Sequence, residues 1–226
     1  MTITLQIEKI NKAIIESAKA SGRSPDLIKL LAVSKGQTVD AIKRAYYAGI
    51  RDFGENYLQE ALPKINALPS LDIQWHFIGH IQSNKAREIA EHVDWVHSVS
   101  RLSIARALNQ FRTLEHALNI CLQINLDNEA TKSGIPPEEA PQLVAEVLRL
   151  SRLKLRGLMV IPTPSLDENQ QYERFLRVHH LLQSLNQEFK INMDTLSMGM
   201  SHDFPAAIRA GSTIVRIGQA IFGKRP

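Results

Sequence analysis

Long uninterrupted apolar runs are missing from this 226-residue chain. None approaches the ~20 residues a membrane-spanning helix requires, so no contact with a membrane is expected. The opening stretch, residues 1–22, mixes Glu8, Lys9, Lys12 and Glu16 into its apolar positions. That pattern excludes a secretory signal and reads as an amphipathic helix. Cysteine is nearly absent: Cys121 stands alone, so no disulfide can form within the chain, and a cytoplasmic location is expected. Because Cys121 lies within the apolar run 119–126, it reads as a buried strand residue rather than a nucleophile. Also lacking is any run of five basic residues: 27 Lys and Arg are interspersed with 23 Asp and Glu, for a net charge of +4. A nucleic-acid-binding chain would concentrate its basic residues in a stripe or interleave them with aromatics. The small positive excess suits a small phosphorylated ligand instead. No repeat, low-complexity tract or linker divides the chain, and no metal site is expected. The proline-rich segment 161–165 is short enough to be a loop.

What is present is a regular alternation of period. Strand-like runs at 28–33, 52–53, 73–78, 95–99, 120–126, 155–161, 195–198 and 212–217 are each followed by a loop. Helix-like spacing lies between them at 38–48, 57–68, 84–92, 102–117, 138–151, 167–189 and 203–210, with Ser83 placed to cap the third of these and Ser201 or Asp203 the last. Continuous apolar strands indicate a parallel sheet covered on both faces. Eight alternations in a chain near the ~250 residues usual for the fold predict one α/β domain over 1–226, a single (β/α)8 TIM barrel with an extra N-terminal helix.

In such barrels the chemistry collects at the C-terminal strand ends. The last two strands both run into glycine loops, Gly199-Met200-Ser201 and Gly218-Gln219, with Arg216 just ahead of the second. Glycine admits a close backbone approach, and paired loops at this position form the phosphate site common to the fold. Lys35 follows the apolar run 30–33, so its stem leaves the core at the ligand end. A lysine partly desolvated there can form a Schiff base with an aldehyde, although a solvated head on an apolar stem is the ordinary alternative. Lysine, phosphate cradle and a group facing a ring nitrogen together meet the requirements of a pyridoxal phosphate site.

The runs LLAVSK (30–35), FGENYLQE (53–60), WHFIGHIQSNK (75–85), KSG (132–134), GLMVI (157–161), LSMGMSHDF (196–204) and VRIGQAIFG (215–223) together resemble the pyridoxal phosphate homeostasis proteins, the YggS/PROSC-type family. The resemblance spans nearly the whole chain. It implies a barrel similar to the N-terminal domain of alanine racemase, with pyridoxal 5′-phosphate (PLP) carried as a Schiff base on Lys35. Ser201 and the backbone of Gly218 and Gln219 would hold the phosphate, Arg216 would face the pyridine nitrogen, and Asn56 would line the same pocket. His76 and Gln82 fall within a family motif without an assigned role. His80-Ile81 departs from the family pattern just before Gln82, away from the cofactor positions.

An arginine stays protonated and cannot keep the ring nitrogen protonated as a carboxylate would, which weakens the ring as an electron sink. A racemase also needs a second acid/base, supplied in alanine racemase by a tyrosine from a further domain that this chain is not expected to have. Tyr46, Tyr47 and Tyr172 have no suitable spacing, Tyr57 is nearest a strand end, and Lys132 is a second amine in a polar loop. The reading is therefore a carrier involved in PLP homeostasis, without catalysis of its own. It is expected to be monomeric and to hand the cofactor to PLP-requiring apo-enzymes. The alternatives are a PLP-dependent racemase or decarboxylase and a phosphosugar barrel enzyme whose lysine reacts with substrate.

Overall fold

Ile7, Ile10 and Ile14, with Ala18, recur at helical spacing and are all buried, so residues Ile3–Ala20 form an amphipathic helix, α1. Thr2 caps it by accepting from the Leu5 amide at 3.3 Å. This and the following elements come from a computed structural model that describes residues 2–113, 115–127 and 133–223. Lys132 lies outside the described residues.

Eight strands follow: β1 Lys29–Val33, β2 Asp52–Glu55, β3 Gln74–Phe77, β4 Trp95–Val99, β5 Leu118–Ile124, β6 Leu153–Val160, β7 Thr195–Ser197 and β8 Ile214–Ile217. All neighbours are parallel, and β8 pairs with β1 to close the barrel in sequential order. The expected α/β barrel with its N-terminal helix is thus observed. Around it lie α2 Val39–Tyr47, α3 Leu58–Ala67, α4 Ala86–His92, α5 Leu102–Phe111, α6 Ala140–Val147, α7 Glu168–Phe189, α8 Phe204–Arg209 and α9 Gln219–Phe222. Arg23 ties α1 down by donating to the carbonyls of Ile208 and Ser212 at 2.6 and 2.8 Å. Among the described residues, no helix is long and apolar enough to cross a membrane.

Several boundaries differ from the sequence reading. β2 runs on through Gly54 and Glu55, which pair with His76 and Phe77. Ser83 opens a 3₁₀ turn and makes no side-chain cap. Residue 111, not 117, ends α5, because Arg112 turns extended and is held inward, donating to the carbonyls of Ala90 and Val93 at 2.7 and 2.8 Å. β8 starts at Ile214, two residues late, where Ser212 donates its hydroxyl to the Met198 carbonyl at 2.7 Å. Nor does Asp203 cap α8: its carboxylate turns back to accept from the Met200 amide at 2.6 Å. Helix α9 is additional.

Part of the barrel interior is polar. Asp52 Oδ1 lies 2.7 Å from Lys29 Nζ and 2.9 Å from His76 Nε2. His76 Nδ1 lies 2.9 Å from His97 Nε2, and His97 Nδ1 2.7 Å from Ser197 Oγ. The indole of Trp95 stacks on His76 at 5.4 Å. Burial pushes the pKa of His97 well below the usual histidine value. Burial also lowers His76, against the opposing pull of Asp52.

Because burial disfavours the protonated form of both rings in the fold, whereas they protonate freely once it unfolds, the unfolded chain binds more protons as pH drops through the histidine range. Stability is therefore complete above the ordinary histidine pKa and declines below it. Lowering the pH from about 7.5 to about 5.5 should cost about 1–3 kcal/mol of unfolding free energy in urea titrations. His97→Gln should reduce that pH dependence.

Candidate functional site

Closure of the barrel puts the end of β1 beside the end of β8, with Leu31 opposite Arg216 and Ala32 opposite Ile217. Residues far apart in the chain thereby meet at one mouth. A cavity of about 600 Å³ opens at these C-terminal ends and is lined by Lys35, Asn56, Ser201, Arg216, Gly218 and Gln219. Its size falls within the ~300–1,000 Å³ of small-molecule sites. All six residues singled out from the sequence are brought together here.

The segment carrying Lys35 is clamped on both sides. Ser34 donates its hydroxyl to Glu55 Oε1 at 2.6 Å, and Lys64 Nζ donates to the Ser34 carbonyl and to Glu55 Oε1, both at 2.8 Å. On the other side the Gly36 amide donates to Glu60 Oε2 at 2.6 Å. Glu55 and Lys64 are both buried, and burial pushes the Glu55 carboxyl up despite the pull of Lys64 and Ser34. Gly79 sets the floor of the neighbouring loop: a Cβ there would fall 1.9 Å from the Asn56 carbonyl oxygen, so no larger residue fits without moving Asn56.

Arg216 is 5% exposed. Its NH1 donates to the carbonyl and the hydroxyl of Ser197, the latter at 2.9 Å, and NH2 donates to the Val160 carbonyl at 2.9 Å. Burial pushes its pKa down to about 10, with Asp203 and Cys121 acting in the opposite direction, so the guanidinium stays charged at neutral pH. Gly199 adopts φ +96°, and a Cβ there would meet Ala207 at 2.7 Å. That close approach keeps the loop bearing Ser201 against α8.

Seven further residues line the cavity, Val33, Gln37, Ile78, Ile161, Met200, His202 and Gly223. Of these, Met200 lies in a glycine loop already marked from the sequence, whereas Gln37 and His202 were not singled out. His202 directly follows Ser201 in the same loop, and that adjacency was the available signal. His76 and Gln82 stand elsewhere: His76 is buried inside the barrel, and Gln82 is exposed ahead of the 3₁₀ turn at 83–85. Cys121 is buried against Trp95 and Met159, its thiol pushed up to about 12 by burial, as suits an inert strand residue.

The donor set can be matched to a ligand class. Asn56 Oδ1 is buried without a hydrogen-bond partner among the described residues, an acceptor placed to take a ligand's hydroxyl or amine. With an amine, a hydroxyl at a glycine loop and a buried guanidinium, the cavity fits a phosphorylated ring bearing a carbonyl.

Comparison with known proteins is consistent with this chemistry. Residues 17–226 match the family model of the alanine racemase N-terminal domain. A pyridoxal phosphate homeostasis protein of Pseudomonas aeruginosa is 52% identical over 225 residues, covering 99% of this chain and 96% of the relative. Its namesake in Escherichia coli K12 is 47% identical over 227 residues, covering 99% and 97%. Among solved structures, PipY of Synechococcus elongatus with PLP bound superposes with a TM-score of 0.83 at 36% identity, over 93% of this chain and 100% of PipY. Alanine racemase of Clostridium difficile gives a TM-score of 0.72 at 17% identity, over 96% of this chain and 56% of that one. That last likeness is one of fold.

Replacing Lys64 by Met would strand the buried Glu55 carboxylate and untie Ser34. Unfolding free energy should fall by about 3 kcal/mol at pH 7, measured by urea titration. An unchanged midpoint would mean that the clamp contributes nothing.

Proposed function

The chain belongs to the pyridoxal phosphate homeostasis protein family, and on that premise we propose that it binds pyridoxal 5′-phosphate in the cavity at the C-terminal mouth of the barrel and holds it as a cytoplasmic, monomeric carrier. The convergence of Lys35, Ser201, Arg216, Gly218 and Gln219 on one cavity is the observation that carries the reading. The bound PLP of the related PipY supports it. When bound, the cofactor supplies an aldehyde that amines capture reversibly.

The chain's own residues divide the work. Lys35 offers the amine that anchors the ligand covalently, with its backbone fixed by Ser34 and Gly36. Ser201 and the backbone of Gly218 and Gln219 hold the phosphate. Asn56 orients the ring edge, and Arg216 faces the ring nitrogen. A guanidinium that remains protonated presents only donors, so that nitrogen serves as an acceptor. The ring then withdraws electrons weakly, which suits storage and hand-over to PLP-requiring apo-enzymes better than carbanion chemistry.

A racemase needs an acid/base on each face of its substrate. Among the described residues no tyrosine lines the cavity: Tyr46 packs on Tyr47 and under Arg51, and Tyr172 lies under Arg209. Tyr57, 57% exposed, is also absent from its walls. Among the described residues of the cavity wall, His202 is the side chain best suited to act as a second acid/base in a racemase.

The absorbance spectrum of purified protein, before and after borohydride, tests the proposal. A visible band fixed by reduction onto the peptide containing Lys35 is expected, and Lys35→Ala should lose it. Absence of any band after PLP is added would sink the carrier and racemase readings and favour a phosphosugar enzyme. Arg216→Ala should keep the covalent link while weakening PLP binding about tenfold; wild-type affinity would contradict the place given to Arg216. Racemisation of small amino acids at rates typical of enzymes would reject the non-catalytic role.

A further inference from the structure

Arg216 is one end of a hydrogen-bond chain that crosses the barrel from the cavity to the opposite mouth. From Arg216 NH1 it passes through Ser197 Oγ, His97, His76 and Asp52 to Lys29, with every step between 2.7 and 2.9 Å. Ser197, His97 and His76 are at most 1% exposed, whereas the Lys29 side chain is 40% exposed. No role in ligand binding given above uses the two imidazoles.

The direction of each donor follows from the ends. An arginine has no acceptor, so Ser197 Oγ accepts from it, and among the described residues His97 Nδ1 is the partner left to take the buried hydroxyl's own hydrogen. A neutral His97 then carries its proton on Nε2 and donates to His76 Nδ1, and His76 in turn carries its proton on Nε2. That proton meets Asp52 Oδ1. Starting instead from Asp52, a carboxylate held below its usual pKa by His76 and Lys29 against the effect of burial, leads to the same assignment. Protonating either ring would leave a hydrogen without an acceptor or turn the chain against itself. Stacking of Trp95 on His76 fixes the ring plane, and Arg156 packs over the outer face of that indole at 4.8 Å.

We propose that Ser197, His97 and His76 are positioning residues that, anchored by the Lys29–Asp52 pair, hold the Arg216 guanidinium in one orientation at the cavity. The link to PLP rests on the function proposed above, but the donor order does not. An arginine whose fork were free to turn would present its donors to a ring nitrogen only part of the time. Here NH1 is held by both oxygens of Ser197 and NH2 by Val160, so the face left to the ligand is set from inside the barrel.

Nitrogen-15 spectra of histidine-labelled protein without added ligand test the donor order. His76→Gln and His97→Gln serve to assign the two rings. Both are expected to be neutral at pH 7 with the proton on Nε2. A proton on Nδ1 of either ring, or a doubly protonated His76, would overturn the proposal.

The positioning role is read from PLP titrations monitored by absorbance. His97→Leu should bind about tenfold more weakly, with a displaced band, whereas His97→Gln, able to accept from Ser197 and donate to His76, should stay within about twofold of wild type. If His97→Leu does not fold, Ser197→Ala keeps the backbone carbonyl contact and removes only the relay; about threefold weaker binding is expected. Wild-type affinity and spectrum in the folded variants would refute the role. Should the wild-type protein bind no PLP, the proposed function fails, and the tautomer spectra alone decide this inference.

Discussion

A guanidinium held almost out of reach of solvent inside a parallel barrel is the constraint on which the rest of this structure turns. Arg216 projects from β8 and is almost fully buried, so water can serve few of its donors. An unpaired charge in such surroundings would cost several kcal/mol. The described fold meets that demand with carbonyls at the ends of β6 and β7 and with the hydroxyl of Ser197. Satisfying Ser197 in turn requires an acceptor, which recruits His97, then His76, and finally the Asp52–Lys29 pair at the far mouth. The polar stripe through the barrel interior thus follows from placing one permanent cation at a ligand cavity.

The lysine at the same cavity is handled differently. Lys35 stands at a strand end, and its stiffness comes from its neighbours: Ser34 is tied to the buried Glu55–Lys64 pair and Gly36 to Glu60. Strand β2 and helix α3 supply all three of these partners. Such clamping orders the backbone at the anchoring position in advance, so less entropy is lost when a ligand is captured. Close backbone approach plays a comparable part elsewhere. Gly157 lies so near the Thr195 carbonyl that a Cβ would come within 1.7 Å, which lets β6 and β7 run together and brings Val160 and Ser197 to the same guanidinium.

Much was legible before any coordinates. Alternating periods predicted the strand count, order and parallel closure. The motif positions selected six of the residues that line the cavity, Lys35 and Arg216 among them. Element ends were less legible: α5 stops early because Arg112 finds buried carbonyls on another helix–strand unit, and Asp203 turns back to Met200 instead of capping α8. A propensity or a cap signal describes what a segment can do alone, and a tertiary partner overrode it in each case. His202 went unremarked although it adjoins Ser201, because nothing local distinguishes a histidine that lines a cavity from one that faces solvent.

By itself the sequence determined the barrel and the chemical character of its C-terminal mouth, because hydrophobic period and glycine-loop chemistry are local properties written into consecutive residues. The order in which donors and acceptors are joined across the interior was decided only by the tertiary structure. Lys29, Asp52, His76, His97, Ser197 and Arg216 come from β1, β2, β3, β4, β7 and β8, and no spacing along the chain announces that they meet. Hydrogen bonds depend on distances of a few ångströms and on which atom already has a partner, and those are set when β8 closes against β1.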